Sequence, residues 1–125
     1  MDYKKTLLEP IKIGRLDCPN RFFAQPMECT DADEDGNPSE MTYKRYENLF
    51  KGQFGMVDLE AITITGECRG REKQLEIMPK NAKAIEKFVG KMKEANPKTL
   101  FVFQLTHSGE LSNTNFSRRI TPKQL

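Results

Sequence analysis

Hydrophobic and polar residues alternate with a period of two at several places in the chain. In IKIGRLDC, residues 11–18, this alternation turns back at Gly14 and predicts a short β-hairpin. Three further apolar runs of strand length follow, at RFFAQPM (21–27), FGMVDLEAITIT (54–65) and TLFVFQL (99–105). We expect Pro26 to end the first of these strands, because proline cannot donate a ladder hydrogen bond.

Two segments between these strands have the spacing of amphipathic helices. The first begins after Ser39, a good N-cap, and ends near Gly52, in the position typical of a C-terminal glycine. Its face towards the core consists of Thr42, Tyr46, Leu49 and Phe50. The second is expected to be capped by Asn81 and to stop at Asn96 and Pro97. Its apolar stripe consists of Ile85, Phe88, Val89 and Met92.

The predicted order is hairpin, strand, helix, strand, helix, strand, which indicates an α/β fold. Strands joined by helices of this length pair in parallel through right-handed crossovers, as in a doubly wound sheet or a section of a (β/α)8 barrel. Both folds bind ligands at the carboxyl ends of their strands. We therefore expect residues 26–28, 60–61 and 104–107 to converge at one mouth.

Three strands do not close a barrel, which leaves two alternatives for the chain. It is an incomplete domain, or a small open sheet that buries its edges against a partner. An in-frame continuation of the gene past codon 125 would favour the first alternative.

Composition narrows the classes of function. The chain has 125 residues, the size of one domain, and its 20 basic and 18 acidic residues give a net charge of +2. This balance offers no electrostatic case for binding nucleic acid or an anionic membrane. Three cysteines without CxxC spacing and a single histidine argue against a disulfide framework or a metal site. Without a signal peptide or a long apolar run, we expect a soluble, cytoplasmic protein.

Four segments, in this order, resemble the N-terminal third of the Old Yellow Enzyme family, the FMN-dependent NADH:flavin oxidoreductases. They are LLEPIKIGRLDCPNRFFAQPM, DGNPSEMTYKRYENLFKGQFGMV, EAITITGECRGREKQLEI and FQLTHSGE. The resemblance implies that residues 1–125 are the N-terminal segment of a flavin-binding TIM barrel, with a hairpin followed by β-α-β-α-β. The chain is also similar to the branch with trimethylamine dehydrogenase and 2,4-dienoyl-CoA reductase, which implies an iron–sulfur cluster in a domain outside this segment.

The resemblance also implies a set of cofactor-binding positions. They are Gln25, Pro26, Met27, Glu28, Ala61 and Gln104. The first four correspond to the end of the first barrel strand, whose backbone lies along the isoalloxazine ring; for Pro26 and Met27, simple strand termination is the alternative. Ala61 corresponds to a small residue that lets the flat ring approach. Gln104 corresponds to a glutamine whose amide donates to and accepts from the pyrimidine ring.

Three positions at this mouth leave their roles open. Glu28 stands where the family often has threonine or cysteine, and an ionised carboxylate would disfavour reduced flavin unless it is protonated or turned away. Cys29 could tune the flavin by a one-residue shift, bind it covalently, or be an ordinary small buried residue. His107 either contacts the substrate rim or orients its loop. Glu110 replaces the arginine that usually follows this loop.

The activity implied by the resemblance belongs to a complete barrel. Its FMN accepts hydride from NADH or NADPH and passes it to an electron-poor acceptor, such as an activated alkene. The substrate-binding pair and the phosphate site of the family lie beyond residue 125, so we expect no catalytic residue in this chain and weak or no FMN binding by it alone. The alternative from another class is a small, non-catalytic α/β module that binds a ligand or self-associates through exposed sheet edges.

Overall fold

The computed structural model describes residues 2–115 and 117–120, and these residues form three α-helices and five β-strands. The helices are α1 (Tyr3–Leu8), α2 (Glu40–Lys51) and α3 (Ala82–Ala95). The strands are β1 (Ile11–Ile13), β2 (Leu16–Cys18), β3 (Phe23–Ala24), β4 (Met56–Thr63) and β5 (Leu100–Thr106). Short 3-10 turns cover Pro79–Asn81 and Gly109–Leu111.

The strands form two separate sheets, the predicted hairpin and the predicted parallel sheet. Strands β1 and β2 pair antiparallel, and Gly14 supplies a positive φ of 59° at their turn. The other sheet is parallel with the order β3-β4-β5, so that Val57 pairs with both Ala24 and Phe101. Neighbours in this sheet are also neighbours along the chain, which is the strand order of a (β/α)8 barrel.

Both long helices cover the same face of the parallel sheet. Phe88 of α3 is fully buried and packs edge-to-face against Tyr43 and Tyr46 of α2, with ring centroids 5.1 and 5.6 Å apart. Phe101 of β5 lies 5.8 Å from Phe88 and 5.0 Å from Phe50. A doubly wound sheet carries helices on both faces, whereas a barrel carries them on one. The fold is therefore a section of a (β/α)8 barrel.

The opposite face of the sheet is open. Phe23 and Val102 alternate with core-facing neighbours and are exposed there. Asp58 of β4 lies on this face as well. Among the described residues, its buried Oδ1 has no hydrogen-bond partner, and burial raises the pKa of the carboxyl. In a closed barrel this face lines the interior.

The helix ends agree with the predicted positions but not always with the predicted contacts. Ser39 caps α2, and its hydroxyl accepts the Thr42 N–H in a capping box. Gly52 ends the helix with an ordinary φ of −70°, and the left-handed residue is Gln53 at 60°. Asn81 occupies the predicted N-cap position of α3, but its side chain makes no capping bond. Its amide Nδ2 donates instead to Asp35 O and Asn37 Oδ1, in the acidic loop of residues 31–37 before α2.

In the described part of the chain, no helix is both long and apolar enough to cross a membrane.

Candidate functional site

A β-bulge shapes the carboxyl end of the sheet. Leu59 pairs with Phe103 and Ile62 with Leu105, so that two residues of β4, Glu60 and Ala61, face one residue of β5. That single residue is Gln104. The register thus places two of the predicted positions, Ala61 and Gln104, opposite each other on neighbouring strands.

Strand β4 lies within the predicted run of residues 54–65, but Ala61 is not at its end. We expected this alanine at the mouth, whereas β4 continues past it to Thr63. The extension is stabilised by the returning chain, because Thr63 N–H donates to the Leu75 carbonyl and Ile77 N–H to that of Thr63, each at 2.8–2.9 Å. Ala61 consequently lies inside the sheet.

Ala61 offers little more than a methyl group to a ligand. The residue is 8% exposed, and its carbonyl oxygen accepts a hydrogen bond from Gln74 Nε2 at 3.0 Å. The Gln74 side chain also accepts the Gly70 N–H at 3.0 Å. Gln74, which we did not single out in the sequence, therefore fastens the loop after β4 onto the bulge.

Gln104 projects from the open face of β5, two residues before the strand ends. Its side chain is exposed, and no other described residue forms a hydrogen bond with its amide. Both its N–H groups and its carbonyl oxygen are thus available to an external molecule. An amide can donate and accept along one planar edge, as recognition of a pyrimidine ring requires.

The segment after β3 lies beside the bulge. Gln25, Met27, Glu28 and Cys29 are exposed, and Pro26 is half-buried. Cys29 N–H donates to Glu60 Oε2 at 3.1 Å, which attaches this segment to β4. The next residue, Thr30, has a left-handed φ of 51°, uncommon for a β-branched side chain.

The structure shows the surroundings of Glu28 and Cys29, two residues whose roles the sequence left open. The Glu28 carboxylate turns towards the loop after β4 and pairs with Arg71, with 3.3 Å between Oε2 and Nε. Its orientation relative to a bound flavin stays a prediction. The interpretation of Cys29 as an ordinary buried residue is wrong, because the residue is exposed and carries a free thiol. Its proposed contacts with flavin stay predictions.

An ion-pair network that we did not predict lies beneath the segment. Arg45 of α2 donates from Nε and Nη2 to both carboxylate oxygens of Asp31 at 2.9–3.1 Å, and from Nη2 to Glu60 Oε1 at 2.5 Å. The carboxylates are almost completely buried, with 8% of the Asp31 and 2% of the Glu60 side chain exposed. Burial opposes the charge on Arg45, but hydrogen bonds to Asp31 and Glu60 outweigh it and hold the Arg45 pKa above its ordinary value.

His107 lies just past β5 and makes a local contact. Its side chain is exposed, and Nδ1 accepts the Gly109 N–H at 3.1 Å. Gly109 has a positive φ of 54°. This contact fits the orienting role, and a direct role at the substrate rim stays a prediction. Glu110 is exposed in the following turn.

The class of structure is thus a section of a (β/α)8 barrel with an exposed amide and an exposed backbone segment at its mouth. Similar solved structures include the old yellow enzyme homologue of Zymomonas mobilis, with a TM-score of 0.77, 24% identity, and coverage of 89% of this chain and 30% of that one. Morphinone reductase in complex with tetrahydroNAD has a TM-score of 0.77 and 21% identity, over 95% of this chain and 31% of that one. A 2-naphthoyl-CoA reductase complex has a TM-score of 0.80 and 19% identity, over 89% and 17%.

These comparisons show the fold. The chain spans less than a third of the length of each of these three structures, which agrees with the N-terminal portion expected from its motifs. No protein-family model matches the chain, and no curated protein matches its sequence.

Proposed function

We propose that residues 1–125 form the first part of an FMN-dependent oxidoreductase barrel. The complete enzyme takes hydride from NADH or NADPH and delivers it to an electron-poor acceptor such as an activated alkene. FMN, when bound, supplies the reversible two-electron step between the two substrates. The proposal rests chiefly on the exposed Gln104 amide beside the bulge of a barrel sheet that is similar to those of Old Yellow Enzyme homologues.

The side chains at this mouth suit the ring system of a flavin. Gln104 offers one donor and one acceptor edge to the pyrimidine ring, and Ala61 leaves room for a flat molecule. The exposed backbone of residues 25–28 lies along one side of the same space. Arg71 pairs with Glu28 and offsets the negative charge that would otherwise oppose reduced flavin.

In this proposal the chain binds and orients, and other residues perform the chemistry. It supplies one wall of the cofactor site, whereas the phosphate site and the residues that hold the substrate belong to later barrel strands. Residues 1–125 alone therefore bind FMN weakly or not at all and have no turnover. We also propose a reducing, cytoplasmic location, supported by three free cysteines. With three cysteines in total, an iron–sulfur cluster with four cysteine ligands would need residues from elsewhere.

The open face of the sheet supports a second proposal, about association. Phe23 and Val102 expose apolar surface there, and β5 forms one edge of the sheet. Such a surface is stable in water only when other strands or another copy cover it. We propose that the remaining barrel strands cover it in the enzyme, and that the isolated segment self-associates through it. A self-associating, non-catalytic module is the alternative function.

The test uses protein purified from cells that express the whole gene. We expect bound FMN in a near-stoichiometric amount, and oxidation of NADH or NADPH that depends on an activated alkene. Gln104→Leu should lower the FMN content, whereas Asn48→Leu, a matched change at an exposed amide of α2, should not. Protein without flavin, or equal FMN content in the two variants, would contradict the proposal. Sizing chromatography that finds residues 1–125 monomeric would contradict self-association.

A further inference from the structure

Glu60 is the junction between the sheet, helix α2 and the segment after β3. Its Oε1 accepts from Arg45 and its Oε2 from Cys29 N–H, so each carboxylate oxygen holds a different element. Its own backbone N–H donates to the Tyr46 hydroxyl at 2.8 Å. The residue is 1% exposed and hydrogen-bonded on all of these sides.

The segment held by Glu60 needs such an anchor. Residues 25–29 are largely exposed and lie outside regular structure. Thr30 follows in the left-handed region, where a non-glycine residue is strained, and such a conformation persists only when its surroundings enforce it. Cys29 on one side and Asp31 on the other both bind the Glu60–Arg45 pair. The network therefore fixes both ends of the strained turn.

A second buried carboxylate shows that burial alone does not create this arrangement. Glu76 is also 1% exposed and pairs with Arg69 and Lys80, at 3.3 and 2.9 Å. Both of these partners lie in its own region of the chain, and it makes no contact with Cys29. Glu76 provides a matched control for Glu60.

We infer that Glu60 is a positioning residue of the mouth. Its carboxylate, held in place by Arg45, fixes the Cys29 amide and so presents the exposed backbone after β3 at the depth where a flat ring lies over the bulge. The single positive charge of Arg45 is shared by two carboxylates, those of Glu60 and Asp31, which together hold its guanidinium in place. The part of this inference that concerns a bound flavin ring rests on the proposed function.

The first test measures amide hydrogen exchange by NMR in the ¹⁵N-labelled full chain. Exchange at Cys29 is compared with that at Ile62, a fully buried position of β4 that reports opening of the sheet. Glu60→Ala should accelerate exchange at Cys29 about tenfold or more relative to Ile62, because a charge-assisted hydrogen bond is lost. Glu60→Gln keeps an acceptor and should restore part of the protection. Glu76→Ala should leave the ratio unchanged.

The second test measures the FMN affinity of the protein expressed from the whole gene, by quenching of flavin fluorescence. Glu60→Ala should weaken binding about tenfold relative to Glu76→Ala. The positioning role would be overturned if Glu60→Ala left the ratio of exchange rates at Cys29 and Ile62 unchanged. It would also be overturned if Glu76→Ala changed that ratio by the same factor as Glu60→Ala. Wild-type protein that binds no FMN would overturn the proposed function instead, and the exchange ratio would still decide whether Glu60 holds the segment.

Discussion

Replacing Tyr46 by phenylalanine removes one hydroxyl from the centre of the molecule. Tyr46 is 1% exposed, and its oxygen accepts the Glu60 N–H at 2.8 Å. Without the hydroxyl this buried N–H loses its partner, and an unsatisfied buried donor costs about 1–3 kcal/mol. We expect the free energy of unfolding at pH 7 to fall by that amount, because the ring of the introduced phenylalanine packs in the same way as the tyrosine ring.

The same substitution should change how stability depends on alkaline pH. Burial raises the pKa of Tyr46 to about 12, whereas an unfolded tyrosine titrates near 10. The unfolded chain therefore loses this proton first, so the contribution of Tyr46 is fully present below pH 10 and is lost as the pH rises towards 12. A shift of about two units corresponds to roughly 3 kcal/mol across that window. Tyr46→Phe should remove this part of the slope.

Urea unfolding at pH 7 and at several values between pH 10 and 12 measures both effects. Tyr3→Phe is the control, because Tyr3 is exposed at the surface of α1. Lysines titrate in the same window, but they are common to all variants, so the difference between variants isolates Tyr46. Equal stability of Tyr46→Phe and wild type at pH 7, together with an equal alkaline slope, would refute the reasoning.

Three further substitutions test the packing and the helix ends, each by urea unfolding. Phe88→Ala empties the centre of the aromatic cluster and should cost about 3–5 kcal/mol; a loss below about 1 kcal/mol would mean that the site collapses. Ser39→Ala removes the hydroxyl that accepts Thr42 N–H and should cost about 1 kcal/mol, whereas no change would mean that water replaces the cap. Gly36→Ala, at a φ of 79°, places a Cβ 2.5 Å from Glu76 Cγ and should cost more than about 1 kcal/mol; a neutral result would contradict the described loop.

Local patterns predicted the regular elements because these elements depend on local chemistry. Alternation located the hairpin and the strands, and helical spacing located the two long helices. Helix α1 was not anticipated, since its six residues have no buried face and it begins with the Asp2 carboxylate accepting the Lys5 N–H. The capping bond expected from the Asn81 side chain is absent for a related reason. Its position favours a cap, but the acidic loop, distant in sequence, offers its amide other partners.

The strand-end positions of the candidate site could be predicted, because they follow from the order of strands and helices. The ion-pair network beneath them could not, because it depends on the exact register of the strands. The rule that ligands bind at the carboxyl ends of parallel strands pointed to residues 26–28, 60–61 and 104–107, among which Gln104 carries an exposed side-chain amide. The network of Asp31, Arg45 and Glu60 joins a loop, a helix and a strand, and no local spacing relates them. One signal was present, because Glu60 interrupts an apolar strand, where an ionised residue needs a partner.

The bulge explains why the partner of Glu60, Arg45, comes from helix α2. In a regular strand, Val57 and Leu59 face the helices while Asp58 and residue 60 face the open side. Ile62, three residues after Leu59, is nevertheless fully buried in the core, so one extra residue lies between them. A bulge redirects the side chain that it contains, and Glu60 contacts Arg45 and Tyr46 rather than the open face. The same extra residue places Ala61 opposite Gln104, so one irregularity both anchors the segment after β3 and sets the small residue beside the amide.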